Sequence, residues 1–207
     1  EGFMEVKRGC MIAVSAISEI GDKILLSNGE EICYTKRKKR ALREELQKKQ
    51  ELMIAKISKK KLPLTPEEYG KYYKICDGLP FAFTDIEMVF NEEKKAVDWI
   101  FRYGNEALAT LEKLPLDKMI GNSFSSLFSN MDAKWLHVYE RATLYGETLE
   151  IMDYSPEIDT NLKIICFPTF PGHCGCILFN ADQMKSISEE NHLVRLAAVA
   201  MKSNPAI

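Results

Sequence analysis

The stretch "AVDWIFRYGNEAL" (Ala96–Leu108) holds a strand, its end and the start of a helix. Trp99, Phe101 and Tyr103 recur at every second residue, the period of a strand with one covered face, which predicts all three on that face. Asn105 follows with the short polar side chain that caps a helix N-terminus. Upstream, "GLPFAFTDIEMVF" (Gly78–Phe90) predicts a second strand. Downstream, "KLPLDKMIGNSFSSLF" (Lys113–Phe128) predicts a turn and short helices. "MDAKWLHVYERATLYGE" (Met131–Glu147) predicts a helix with Trp135, Val138, Tyr139 and Ala142 on one stripe and Gly146 at its stop. Three further strands are expected at Leu149–Tyr154, Leu162–Phe167 and Cys174–Phe179. Two strands, several short helices and three strands make an α+β chain.

The 207 residues are 46% apolar and carry both charge signs in plenty, as a soluble globular chain does. The longest apolar runs fall far short of the roughly 20 residues that span a bilayer, and no signal sequence opens the chain, so a cytoplasmic location without membrane contact is expected. Six scattered cysteines read as reduced thiols. The start at Glu1 and the end at "SNPAI" suggest a piece of something longer.

Charge is uneven. Residues 1–62 hold 15 Lys and Arg against 9 Asp and Glu, net +6, whereas residues 63–207 hold 13 against 21, net −8. That asymmetry predicts two modules with a seam near Leu62, where Pro63 and Pro66 punctuate the chain and Thr65 is placed to cap a helix starting at Pro66. In the first module, short strands are expected around Met11–Val14, Ile17–Ile20, Lys23–Ser27 and Glu31–Thr35, with Asn28-Gly29 turning a hairpin. After Lys36 the pattern becomes helical to about residue 60, with Leu42, Leu46, Met53 and Ile57 near one face, a length suited to a dimer-forming or signal-carrying connector.

Two resemblances follow. "FMEVKRGCMIAVSAISEI" and "ILLSNGEEICYTKRKKRALREEL" (about residues 2–46) are similar to the second half of a LytTR DNA-binding domain. The resemblance implies Lys7, Arg8, Lys36, Arg37 and Lys38 as DNA contacts, although Lys7, Gly9-Cys10 and Ala13 depart from the family's usual residues and the domain's first half is missing. Independently, a cation run at a strand-to-helix junction suits phosphate contact, while the same run can be solvated helix surface. The second resemblance is to a PAS domain. "WIFRYGNEAL", "KMIGNSFSSLF" and "LKIICFPTFPGHCGCILFNADQMK" look like that family's strand with its capping Asn, its Gly turn and its closing strands. This resemblance implies an antiparallel five-stranded sheet with helices on one face over residues 79–185, behind a linker helix at 63–78 and ahead of an exit helix at 186–207.

A cavity between sheet and helices would be lined by Phe83, Trp99, Phe101, Tyr103, Trp135, Ile164 and Cys166, unless those side chains fill it. No cofactor is assigned. His137 lies on a helix, but its neighbours Trp135, Val138 and Tyr139 claim the buried face, which argues against haem. No cysteine falls between Cys76 and Cys166 to serve flavin photochemistry. Cys174 and Cys176 share a strand face and read as core thiols, not zinc ligands. No catalytic set stands out, so the expected function is a non-catalytic sensory module of a bacterial signalling protein. Its PAS part would sense a small ligand or partner and report to the LytTR-like piece of a transcription regulator, with a homodimer through apolar flanking helices. The alternative is a PAS input segment of a diguanylate cyclase or histidine kinase whose catalytic domain lies outside this chain.

Overall fold

The computed structural model describes residues 2–60, 64–129 and 132–181. The chain divides into two units between Lys56 and Ile57. The first holds two small antiparallel sheets. Strands β1 (Phe3–Lys7) and β2 (Cys10–Ala13) pair around a turn in which Gly9 takes φ +74°. In β1, Met4 and Val6 are buried while Phe3, Glu5 and Lys7 are exposed, the period-2 pattern of a half-covered strand. Strands β3 (Ile17–Ile20), β4 (Ile24–Leu26) and β5 (Glu31–Ile32) form the second sheet. Gly29 turns the β4–β5 hairpin at φ +84°, and Asn28 Oδ1 accepts from Glu30 N at 3.0 Å, so the turn rests on the pair that predicted it. Helix α1 (Lys39–Lys60) follows; Leu42 is buried, and the Arg43 guanidinium donates twice to Ile20 O, at 2.6 and 2.9 Å.

The second unit is a five-stranded antiparallel sheet with helices. After α2 (Pro66–Tyr72) come β6 (Ala82–Phe90), β7 (Ala96–Gly104), α3 (Glu106–Glu112), α4 (Leu116–Met119), α5 (Phe124–Leu127), α6 (Ala133–Tyr145), β8 (Leu149–Ser155), β9 (Thr160–Pro168) and β10 (His173–Asn180). The strand order is β7-β6-β10-β9-β8, so both edges come from strands flanking the helical insert and the last strand runs up the middle. Helix α2 starts as its sequence dictates: Glu68 N donates to Thr65 Oγ1 at 3.3 Å and Thr65 N to Glu68 Oε2 at 2.7 Å, a reciprocal capping box with Pro66 at the first helical position.

Alternation sorts the sheet into two faces. Thr84, Ile86 and Met88 of β6, with Leu162, Ile164 and Cys166 of β9 and Cys174, Cys176 and Leu178 of β10, meet α3 to α6. Phe83, Ile165, Phe167, Ile177 and Phe179 face the other way and pack on Tyr69, Tyr73 and Cys76 from α2 and the turn after it. The sheet is therefore covered on both faces, which explains why its central strands read as unbroken apolar runs.

One expectation is corrected by this register. Trp99 and Phe101 lie opposite Met88 and Ile86, but Tyr103 lies opposite Asp85, leaving Arg102 as an extra residue in β7. That bulge turns Tyr103 to the α2 face, where its hydroxyl donates to Asp77 Oδ1 at 2.5 Å. Asn105 does more than cap α3. Its Oδ1 accepts from Leu108 N at 3.1 Å and from Phe83 N at 3.0 Å, while its Nδ2 donates to Cys76 O and Phe81 O, both at 3.0 Å. A single side chain, 1% exposed, thus joins the turn after α2, strand β6 and helix α3. Among the described residues no helix is long and apolar enough to cross a membrane. The expected exit helix at 186–207 lies outside the described residues.

Candidate functional site

A cavity lies between the sheet and its helical cover. Its floor is Thr84 and Ile86 of β6, Trp99 and Phe101 of β7, Leu162 and Ile164 of β9, and Cys176 and Leu178 of β10. Its roof is Phe124 of α5 with Trp135 and Tyr139 of α6, and at its rim stand Glu112, the last residue of α3, with Ser155 and Glu157 where β8 turns into β9. The cavity has an open volume of about 30 Å³. One water needs roughly 10–15 Å³ of such volume, so the room suits about two waters or a group of a few heavy atoms. Aromatic packing fills most of what a larger ligand would need: the rings of Trp99 and Phe124 lie 4.4 Å apart between centroids, and Trp99 and Tyr139 5.1 Å apart edge to face.

Trp99, Phe101, Trp135 and Ile164, expected to line a cavity, are brought together here. Cys166 belongs to the same packed layer without lining the opening, its thiol directed to Leu149 O at 3.6 Å. Phe83 and Tyr103 sit on the opposite face of the sheet, Phe83 because it alternates with Thr84 and Tyr103 because of the bulge.

The polar part of the site is acidic. Glu157 Oε2 accepts from Ser155 Oγ at 2.5 Å, whereas its Oε1 is buried without a hydrogen-bond partner. Burial, reinforced by the Glu157 charge, pushes the Glu112 carboxyl up to about 7. Among the described residues no Lys or Arg lines the cavity. The Lys113 ammonium is held at Ile158 O, 3.4 Å away, and Lys134, which lies over the Trp135 ring at 5.1 Å, is paired with Asp132 and Asp153 at 3.2 and 3.0 Å. Burial raises the Cys174 and Cys176 thiols, whose sulfurs lie 3.8 Å apart, so both stay protonated and weakly nucleophilic. Among the described residues no group of three or more His, Cys, Asp or Glu side chains is placed to hold a metal ion.

A second polar cluster is sealed on the α2 face. Asp85, 0% exposed, accepts from Tyr73 Oη at 2.7 Å, Thr169 Oγ1 at 2.5 Å and His173 Nδ1 at 2.6 Å. On its other side the His173 ring places Nε2 3.3 Å from Tyr69 Oη. Next to it Arg102 Nε donates to Glu87 Oε2 at 2.6 Å. Burial, then the Asp85 charge, raises the Tyr69 hydroxyl to about 12 and the Tyr73 hydroxyl higher still, so both remain donors. The triad-like order of carboxylate, imidazole and hydroxyl is shut away from solvent and serves to hold α2 on the sheet.

In the first unit, Lys7 and Arg8 stand exposed at the β1–β2 turn. Lys36, Arg37 and Lys38 form a single exposed 3-10 turn, and among the described residues none of them makes an ion pair. Lys39 and Arg40 are engaged instead, with Asp22 at 3.3 Å and Glu44 at 2.7 Å. With three residues per 3-10 turn, side chains at 36, 37 and 38 fan out at about 120° intervals, so one flat polyanion meets two of the three at a time.

Sequence reasoning overlooked the two rim carboxylates and Ser155. Each is a lone polar residue in an ordinary setting, a helix end or a turn, with no motif to mark it. Phe124 and Tyr139 carried the usual signal of an aromatic at helical spacing, and Tyr139 was already on the predicted stripe with Trp135. No protein-family model matches the chain, and no curated protein matches it.

Proposed function

We propose that the chain is a non-catalytic sensory and regulatory module of a bacterial signalling protein, with a PAS-type ligand sensor in the second unit and a LytTR-like nucleic-acid-contacting piece in the first. The carrying observation is the aromatic cavity with a polar rim between a five-stranded antiparallel sheet and its inserted helices. A concave apolar site with a few converging polar groups is the usual form of a small-molecule site, and its modest volume favours a small ligand over a haem or flavin. Helix α2 lies on the opposite face of that same sheet, so strain at the cavity floor is passed through the sheet to α2.

Trp99 and Trp135 are the chain's two tryptophans and both line the cavity, so intrinsic fluorescence reports its occupancy directly. A library of small ligands is expected to yield a compound that changes emission saturably and raises the melting temperature. Absence of any such compound would remove ligand sensing.

Nucleic-acid contact is favoured by the cations of Lys36–Lys38, which make no ion pair among the described residues, beside paired Lys39 and Arg40. Duplex DNA followed by fluorescence anisotropy across a salt series is expected to show affinity falling with log salt. The variant with Ala at 36, 37 and 38 should reduce the slope by about two units, at about 0.9 per phosphate. No binding at low salt would leave the turn as solvated surface.

A further inference from the structure

The cavity's chemistry narrows what can occupy it. Two carboxylates share its rim, and among the described residues no cation lines it and Glu157 Oε1 is buried with no partner. Buried acceptors are normally satisfied, and two neighbouring carboxylates in low dielectric disfavour each other's charge. Glu112 carries a further electrostatic cost as the last residue of α3, at the negative end of that helix. One positively charged group between the two would relieve all three penalties. The remaining walls are Trp99, Trp135, Tyr139 and Phe124, and an aromatic enclosure is the environment in which an ammonium gains from ring quadrupoles.

We infer that the cavity binds the ammonium group of a small amine, held by Glu112 and Glu157 against the rings of Trp99, Trp135 and Tyr139. This rests on the reading of the cavity as a ligand site. The open volume admits an ammonium with one or two carbons, and anything longer extends toward the mouth. A metal ion is a poorer occupant, because among the described residues no group of three or more His, Cys, Asp or Glu side chains is placed to hold one. A neutral alcohol fits by size but leaves the acid pair uncompensated.

The titratable groups that share the cavity lining with Glu112 are Glu157 from the β8–β9 turn, Tyr139 from α6 and Cys176 from β10, with Lys113 adjacent in sequence and held at Ile158 O. Tyr139 and Cys176 stay neutral below pH 8, their hydroxyl and thiol raised by burial, so the acid pair is what changes charge. Amine binding requires the Glu112 proton to leave, and affinity should therefore rise about tenfold between pH 6 and pH 8 while the amine itself remains protonated.

The test uses the full chain with methylammonium and ethylammonium chloride against methanol and ethanol, at ionic strength matched with NaCl, read by tryptophan emission and calorimetry. The ammonium probes are expected to bind saturably with a dissociation constant on the order of 1 mM, the range open to ligands of two or three heavy atoms. The alcohols should give no response. Glu157→Gln and Glu112→Gln should each weaken the amines at least tenfold at pH 8, with unchanged far-UV circular dichroism as the folding control. Alcohols binding as well as amines, amine affinity unchanged in both variants, or amines silent while another compound class binds would overturn the ammonium assignment and leave the ligand site standing. Silence from every compound of any class would overturn both.

Discussion

Replacing Asp85 by Ala removes the acceptor shared by Tyr73, Thr169 and His173 at 2.5–2.7 Å in a site with no solvent access. A hydrogen bond to a charged group contributes about 1.5–3 kcal/mol, and an orphaned buried donor costs about 1–3 kcal/mol. Two of the three donors are hydroxyls that can rotate toward other acceptors, so the losses do not add fully, and the sum comes to about 3–5 kcal/mol. Asp85→Asn keeps one oxygen for His173 and offers an amide to hydroxyls that can turn to accept, so its cost should be about 1–2 kcal/mol. Both tryptophans lie in the second unit, and urea unfolding followed by their emission measures that unit alone. In a unit of this size, about 4 kcal/mol corresponds to a melting point lower by roughly 8–16 °C. The discriminating measurement is a double-mutant cycle. Tyr73→Phe should cost about 1.5–3 kcal/mol in the parent and nearly nothing in Asp85→Ala. A loss below 1 kcal/mol for Asp85→Ala, or an undiminished Tyr73→Phe cost in its background, would refute the reasoning that this network pins α2 to the sheet.

Three further outcomes are expected. The Glu112 carboxyl is raised from 4.5 to about 7 in the folded protein. The folded state therefore keeps a proton that the unfolded chain releases, and stability should fall as pH rises from about 4.5 to about 7, then level off. Glu112→Gln should flatten that slope and be more stable than the parent at pH 8 by roughly 1–3 kcal/mol in urea titrations. Asn105→Ala strands Phe83 N and Phe81 O at the junction of β6, α3 and the turn after α2, while Leu108 N keeps Asn105 O and Cys76 O keeps Leu79 N, and should lower stability by about 2–4 kcal/mol, well above the ~1 kcal/mol of an ordinary cap. At Gly175 an added Cβ would sit 2.8 Å from Thr169 Cγ2 and 2.9 Å from the buried Phe167 ring, so Gly175→Ala should cost about 1–3 kcal/mol by the same assay.

Several features were legible because their causes are local. Thr65-Pro66 with Glu68 starts α2 through a capping box, Asn28-Gly29 turns its hairpin because Gly29 takes positive φ and the Asn28 side chain accepts from Glu30 N, and Asn105 caps α3. Alternation in β6, β9 and β10 likewise follows from the period of the strand itself. β1 escaped notice because Phe3–Lys7 is short and half exposed, and β5 ends at Ile32 instead of reaching Thr35.

What sequence spacing alone could not decide was everything set by pairing between distant segments. Tyr103 continues the alternation of Trp99 and Phe101, yet the bulge at Arg102, visible only against β6, sends it to the opposite face. Asp85 and His173 are 88 residues apart and meet because β10 inserts beside β6. Glu112 and Glu157 become a pair only when a helix end and a strand turn converge over the sheet. By itself the sequence determined where strands and helices start, stop and alternate, since those depend on neighbours a few residues away. The tertiary structure decided which face, which partner and which charges share one cavity, because register and burial are properties of the assembled sheet.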